Sequence, residues 1–414
     1  MQKFNEICSM TIKWCLCAIV FAAPFSKSIS EIAIALAIAV WAVKKVCNKD
    51  LRIHKDALII PFLIFVVTII PSFFNSAYPA ISVKAFFTKV LKYVFLYFVM
   101  VESVDSLSKL KDILIMAVAS IVVIMADGFI QFNLGIDLLH GYPSFKGYMP
   151  IMNVDVASNY FKGFPTASFP YPNDLAAWIL LAIFPVVCVA IFGPKKTKAR
   201  YAAWLISIGL FVLFFLTKAR GAWIGLGLST VYIAVSKNKI WLIAILVLML
   251  AVPFLFRMEM AQHIFSRVSV DDRIGMWKTG WQIFTEHPVT GNGLNTFFRN
   301  FQKYRNDADK GMKGSYAHNC YLQMAADTGI IGLGGFLFLI AAYFLSVIKS
   351  LRKIRDDLYQ SVLWGLSIGI FAFLVHSFFD TNLYSLNLAT LFWFAIGLSG
   401  AISNVAQDKG VSTI

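Results

Sequence analysis

The amino-acid sequence predicts an all-α, polytopic membrane protein with about 12 transmembrane helices and a large, partly helical periplasmic loop. Three observations carry this. The chain of 414 residues is 59% hydrophobic, with a mean hydropathy of +0.72, whereas an ordinary soluble domain is about 45–50% apolar. Only 14% of its residues are charged, against about 25% in soluble domains. Apolar runs close to twenty residues, long enough to cross a bilayer as a helix, recur along the whole chain. Residues 1–414 therefore read as a single membrane domain.

Twelve apolar segments can be delimited: 10–25, 29–43, 57–74, 81–101, 112–133, 174–193, 200–217, 219–236, 239–256, 328–348, 360–379 and 386–405. The first two are short and suit a hairpin or tilted pair. Lys3 and Lys13 ahead of the first run imitate a signal peptide. With so many later spans, that run is expected to be an uncleaved first helix.

Orientation follows from the short loops. "KKVCNKDLRIHK" after the second segment, "GPKKTKAR" after the sixth, "SKNK" after the eighth and "KSLRKIR" after the tenth are all basic. All are even-numbered connections, and short basic loops stay in the cytoplasm. Odd-numbered connections then face outward and both termini lie inside. The same topology accounts for most of the +15 net charge, so a nucleic-acid partner is not expected. Of the cysteines at 8, 15, 17, 47, 188 and 320 only Cys320 lies near the outer side, so no disulfide framework is implied.

Two outer loops are long. Residues 134–173 contain "GYPSFKGYMPIMN" and "GFPTASFPYPND", rich in Gly, Pro and aromatics without helical period. Within 257–318, Ile274, Trp277, Trp281 and Phe284 recur at three- and four-residue spacing. That stripe predicts an amphipathic helix whose apolar face suits a membrane interface. "GNGLN" is a turn, and Phe297, Phe301 and Tyr304 begin a second such helix. The pair would form a lid on the membrane surface.

On this topology four ionisable residues reach the outer face from four separate regions. Arg220 sits in the tight turn before the eighth segment and Arg273 at the start of the amphipathic helix. His318 lies at the mouth of the tenth segment and Asp380 at the end of the eleventh. Guanidinium forks match phosphate oxygens and keep their charge, so a pair can hold a diphosphate and stabilise it as it leaves. An imidazole can take the proton of an attacking hydroxyl. The combination suits group transfer from a lipid diphosphate to an alcohol. Blander readings stand beside it: Arg220 as an interfacial anchor, Arg273 as part of a helix start with Asp271 and Asp272, Asp380 as a solvated helix end. His140, His263, His287 and His376 also compete with His318. Asp271 and Asp272 could hold a divalent metal, but no third acidic ligand stands nearby in sequence. Lys84, Lys89 and Lys92 are the charges inside a span, and they keep open a second class, a transporter or flippase of a lipid-linked sugar with these lysines along the lipid path.

"FPYPNDLAAWILL", "LTKARGAWIGL", "DDRIGMWKTGWQIFTEHPVTGNGLNTF" and "AHNCYLQMAADTGIIGL", in this order over roughly residues 160–385, resemble the O-antigen ligase family of bacterial inner membranes. That family also includes O-antigen polymerases and O-linked protein oligosaccharyltransferases. The resemblance implies that Arg220 and Arg273 bind the diphosphate of an undecaprenyl-linked glycan, that His318 activates the acceptor, and that Asp380 matches a late acidic residue. Asn319, next to His318, is placed with the arginines as a substrate-binding residue. A metal-independent, inverting glycosyltransferase without cofactor is implied, acting at the periplasmic side of the inner membrane. The resemblance favours lipid A–core as acceptor and leaves polymerase and oligosaccharyltransferase as alternatives.

Overall fold

The computed structural model describes residues 1–50, 52, 56–144, 164–236, 268–304 and 316–408 (of residues 234–236, 268–272 and 408, only the backbone). Every regular element among them is helical. In chain order these are α1 (Gln2–Ala22), α2 (Lys27–Cys47), α3 (Ile59–Ile69), α4 (Pro79–Ala85), α5 (Lys92–Ser103), α6 (Leu107–Leu134), α7 (Pro172–Phe192), α8 (Lys198–Leu216), α9 (Arg220–Ser236), α10 (Val268–Glu286), α11 (Phe297–Tyr304), α12 (Cys320–Leu351), α13 (Asp357–His376) and α14 (Leu386–Asp408). A 3₁₀ turn, Ile70–Phe73, extends α3, and a π-helical turn, Phe86–Leu91, joins α4 to α5.

Eleven of the twelve apolar segments fall on these helices; the ninth, 239–256, lies outside the described residues, as do parts of the two long outer loops. Seven of the described helices (α1, α6, α7, α8, α12, α13 and α14) are long and apolar enough to cross a membrane. The chain is a multi-pass membrane protein. α2 carries Lys27, Glu31, Lys44 and Lys45 and is not one of the seven, and Ile59–Phe73 is shorter.

Local sequence sets the helix ends. Ser26, Ser106 and Thr197 accept from the third following amide, of Ile29, Lys109 and Arg200, and Asp356 does the same for α13. These are the short polar side chains that offset the unpaired amides of a first turn. α6 stops at Gly135, whose φ of 85° closes the helix in the left-handed region.

α13 is the centre of the bundle, pressed between α7 and α9. The contact is close because glycines face it. A Cβ on Gly365 would fall 2.4 Å from Pro185 Cα of α7, and one on Gly225 of α9 would fall 2.7 Å from the Ala372 carbonyl. Helices in lipid gain little from hydrophobic transfer and depend on such backbone approach. α14 packs on α5, α12 on α3, and α1 pairs with α2 and α6.

α12 is broken. Gly329 has φ 66° and ψ −176°, a conformation available essentially to glycine alone. The break opens backbone groups that the 288–293 loop then uses. Ile330 and Ile331 amides donate to Pro288 and Val289 carbonyls (2.9 and 3.3 Å), while Asn292 and Gly293 amides donate to Ala326 and Asp327 carbonyls (3.0 and 2.9 Å). The Asp327 side chain accepts from Phe297 and Asn295 amides (2.8 and 3.1 Å) and so caps α11. A Cβ on Gly329 would lie 2.2 Å from the Val289 carbonyl oxygen. Gly329→Ala is therefore expected to cost at least the roughly 1–3 kcal/mol of a strained backbone, seen as a lower melting temperature of the purified protein. An unchanged melting temperature would show that this loop is not held at the break.

Candidate active site

One end of the bundle gathers the connections α1–α2, α6–α7, α8–α9, α13–α14 and the start of α12. Asp380, between α13 and α14, is the meeting point. Its Oδ1 lies 3.2 Å from His318 Nδ1 and accepts from the Thr381 amide (2.8 Å), and its Oδ2 accepts from Asn173 Nδ2 at the start of α7 (2.7 Å). The Asp380 side chain is only 11% exposed, whereas that of His318 is 33% exposed. Burial pulls the Asp380 carboxyl upward, but the His318 hydrogen bond and the charges of His318 and Arg273 outweigh it and hold the group well below the usual carboxylate range. An ionised carboxylate only accepts, so His318 Nδ1 carries the proton towards it. In the neutral ring Nε2 is then the lone-pair nitrogen.

The backbone aims this ring. His318 has φ 47°, in the left-handed region, just before Asn319 caps α12 by accepting from Tyr321 and Leu322 amides at 3.0 Å each. Cys320 then ties the start of α12 to the α13–α14 turn: its amide donates to the Ser377 carbonyl (2.8 Å) and its thiol to the Asp380 carbonyl (3.2 Å). The Asn319 oxygen, read from sequence as substrate-binding, is thus engaged in positioning its neighbour. No disulfide joins any of the six cysteines, all of which lie among the described residues.

The two arginines converge on the same place. Thr217 ends α8, Lys218 turns through φ 52°, and Arg220 opens α9. A Cβ on Gly221 would touch Phe379 Cβ at 2.9 Å and the His376 ring at 3.1 Å, so the Arg220 turn lies directly on the segment before Asp380. The Arg273 charge acts on Arg220, His376 and Asp380. Like charges repel, and an anion shared between two guanidinium groups offsets that repulsion. No salt bridge among the described residues engages Arg273.

α10 hangs over the site with part of its apolar stripe facing outward. The stripe Ile274–Trp277–Trp281–Phe284 is not what it buries: Ile274 and Trp281 are exposed, and Met276, Thr279 and Ile283 face the protein. The reason is local. Gly280 admits Leu322 of α12 within 3.0 Å of where a Cβ would be, and the packing follows that notch. Trp277 lies at the edge, its indole N–H donating to the His318 carbonyl (3.4 Å) and its ring meeting Phe378 edge-on at 5.7 Å. Phe297 and Phe301 of α11 are buried as their spacing predicts.

The rival histidines separate cleanly. His140 stacks on Tyr142 and His287 is exposed. His376 is buried with Nδ1 3.1 Å from Asn382 Nδ2. His263 lies outside the described residues, as do the side chains of Asp271 and Asp272. Of the span-four lysines, Lys92 pairs with Glu31 (2.6 Å), Lys89 donates to Asn295 (2.8 Å) and Lys84 is exposed. Sequence reasoning missed Asn173 as a partner of Asp380. Its signal was the "PND" opening of α7, in a motif already singled out. It also missed Asp174, half-buried beside Asn173 and under the charges of Asp380, Lys27 and His318.

Residues 205–337 match the family model described as O-antigen ligase. That stretch holds Arg220, Arg273, His318 and Asn319; Asn173 and Asp380 lie outside it. No curated protein matches the chain.

Proposed function

We propose that the chain, which matches the O-antigen ligase family model over residues 205–337, transfers a glycan from undecaprenyl diphosphate to a hydroxyl of lipid A–core, at the periplasmic face of the bacterial inner membrane. The observation that carries the reading is the Asn173–Asp380–His318 chain beside two arginines under mutual repulsion. It supplies a fixed base and an anion site at one end of a membrane bundle.

The residues divide the work as follows. Arg220 and Arg273 grip the donor diphosphate, whose two phosphates relieve the repulsion between the guanidinium groups. The acceptor hydroxyl enters at the exposed edge of His318, and Nε2 takes its proton as the oxygen attacks the anomeric carbon. The bond from that carbon to the diphosphate oxygen breaks, and the electron pair leaves on the diphosphate, where the arginines stabilise it. Attack opposite the leaving group inverts the anomeric centre. Asp380 balances the imidazolium that forms, and Asn173 and the Thr381 amide hold Asp380 in place. Asn319 serves through the capped helix start that orients His318.

The orientation is supported by the described basic residues at 44–45, 195–200 and 349–355, which belong to the end away from His318. The transporter reading loses its motivation because Lys89 and Lys92 have structural partners. The direct test is to incubate purified protein with an undecaprenyl-diphosphate glycan and, separately, lipid A–core, a second lipid-linked glycan or a Ser/Thr peptide. Transfer to lipid A–core alone is expected; transfer to either other acceptor would make the chain a polymerase or an oligosaccharyltransferase. Arg273→Lys keeps the charge but loses the fork. It is expected to lower turnover by about 10²–10³-fold, the usual loss for one preorganised donor to a developing anion. Wild-type turnover in this variant would remove Arg273 from the leaving-group site.

A further inference from the structure

α6 and α8 run side by side and touch only towards the His318 end. There Gly209 faces Met125 and Gly128 faces Leu213, closely enough that added Cβ atoms would fall 2.4 and 2.8 Å away. Towards the opposite end the helices part, and between them lies a cavity of about 470 Å³. Its mouth is formed by exposed residues, Val118 on α6 and Ala202 on α8. Its floor is the buried face of α7, α13 and α14, including Trp178, Val189 and Phe394. The lining is apolar but for Lys111, Ser120 and Tyr359, and the Ser120 hydroxyl is satisfied by the Phe21 carbonyl at 2.9 Å.

Size and polarity constrain the guest. A dry apolar cavity of about 150 Å³ already takes up benzene, and this one is three times larger. Along α7 the lining runs from Trp178 to Val189, about 16 Å at 1.5 Å per residue. That matches half of a hydrocarbon core about 30 Å thick. The crevice therefore suits one acyl chain of the leaflet on the side away from His318. Its rim is basic. Lys111 is exposed and lines the cavity, and Lys195, Lys196 and Lys198 lead into α8 just before the lining residue Ala199. Arg200 is turned away to cap α7, donating to the Gly193 and Ile191 carbonyls (3.2 and 3.1 Å). Among the nearby acids, Asp112 is neutralised by Lys13 (2.8 Å) and Asp356 is engaged in capping α13; Asp357 is exposed.

We infer that the α6–α8 crevice is a binding site for an anionic phospholipid of the leaflet opposite the catalytic end, its acyl chain between the helices and its headgroup on Lys111. Polyprenyl donors are held by their diphosphate at the other end of the bundle, so this site and the transfer site are separate.

The test uses the purified full-length chain in detergent, with native mass spectrometry and melting temperature read against added phosphatidylglycerol or phosphatidylcholine. Phosphatidylglycerol is expected to bind and raise the melting temperature more than phosphatidylcholine. Lys111→Ala should weaken that binding about fivefold, the value of one basic residue near an anionic lipid surface. Ala203→Phe, which fills the crevice, should remove the adduct while the lipid-free melting temperature stays at or above wild type. Equal response to both lipids, unchanged phosphatidylglycerol binding in Lys111→Ala, or displacement of phosphatidylglycerol by undecaprenyl phosphate would each overturn the assignment. Should Ala203→Phe not fold, Lys111→Ala alone decides.

Discussion

His318→Gln is expected to lower the transfer rate by about 10²–10⁴-fold, the usual contribution of a positioned general base, with donor affinity close to wild type. Glutamine keeps a polar side chain of similar reach but has no titrating nitrogen to receive the acceptor proton. The split between rate and binding follows from the geometry. His318 is bonded to Asp380 and turned to its exposed edge, while the anion site is assigned to Arg220 and Arg273. Single-turnover rates and equilibrium binding of the undecaprenyl-diphosphate donor, measured on the same preparation, separate the two. If donor binding collapsed instead, His318 would be a ligand of the diphosphate and the base would lie elsewhere.

Asp380→Asn is expected to be as severe, about 10⁴-fold in kcat by analogy with other carboxylate–imidazole pairs. An amide at this position can donate to Nδ1, which moves the ring proton to Nε2 and removes the lone pair the acceptor needs. Asn173→Ala, which loosens the carboxylate without removing it, should fall well short of that loss. The same residue makes a pH prediction. The folded carboxyl is held below its ordinary range, whereas in the unfolded chain it titrates near 3.9. Its stabilising contribution is complete above that unfolded value and is lost as the pH falls through the lower folded one. Wild type and Asp380→Asn should therefore differ in melting temperature at neutral pH, with the gap narrowing on acidification below about 4. A gap that did not narrow below that pH would mean that Asp380 is not held as a carboxylate.

Much of this architecture is legible in one dimension because a bilayer imposes simple rules. A spanning helix must be apolar for about twenty residues, and its flanking charges report its side. For that reason most of the apolar segments, and the gathering of Arg220, Arg273, His318 and Asp380 towards one end of the bundle, could be read from the chain. Residue type and local spacing suffice for each of those statements. Partnership does not follow from spacing. Asn173 and Asp380 are separated by 207 positions and His318 and Asp380 by 62, and only the packing of α7, α12 and α13 brings them within a hydrogen bond. The face on which α10 docks was likewise decided by the notch at Gly280, which the hydrophobic period cannot reveal. Among the four described candidate histidines, His318 is the one hydrogen-bonded to Asp380 with part of its ring exposed, the fixed carboxylate and open edge that a base needs.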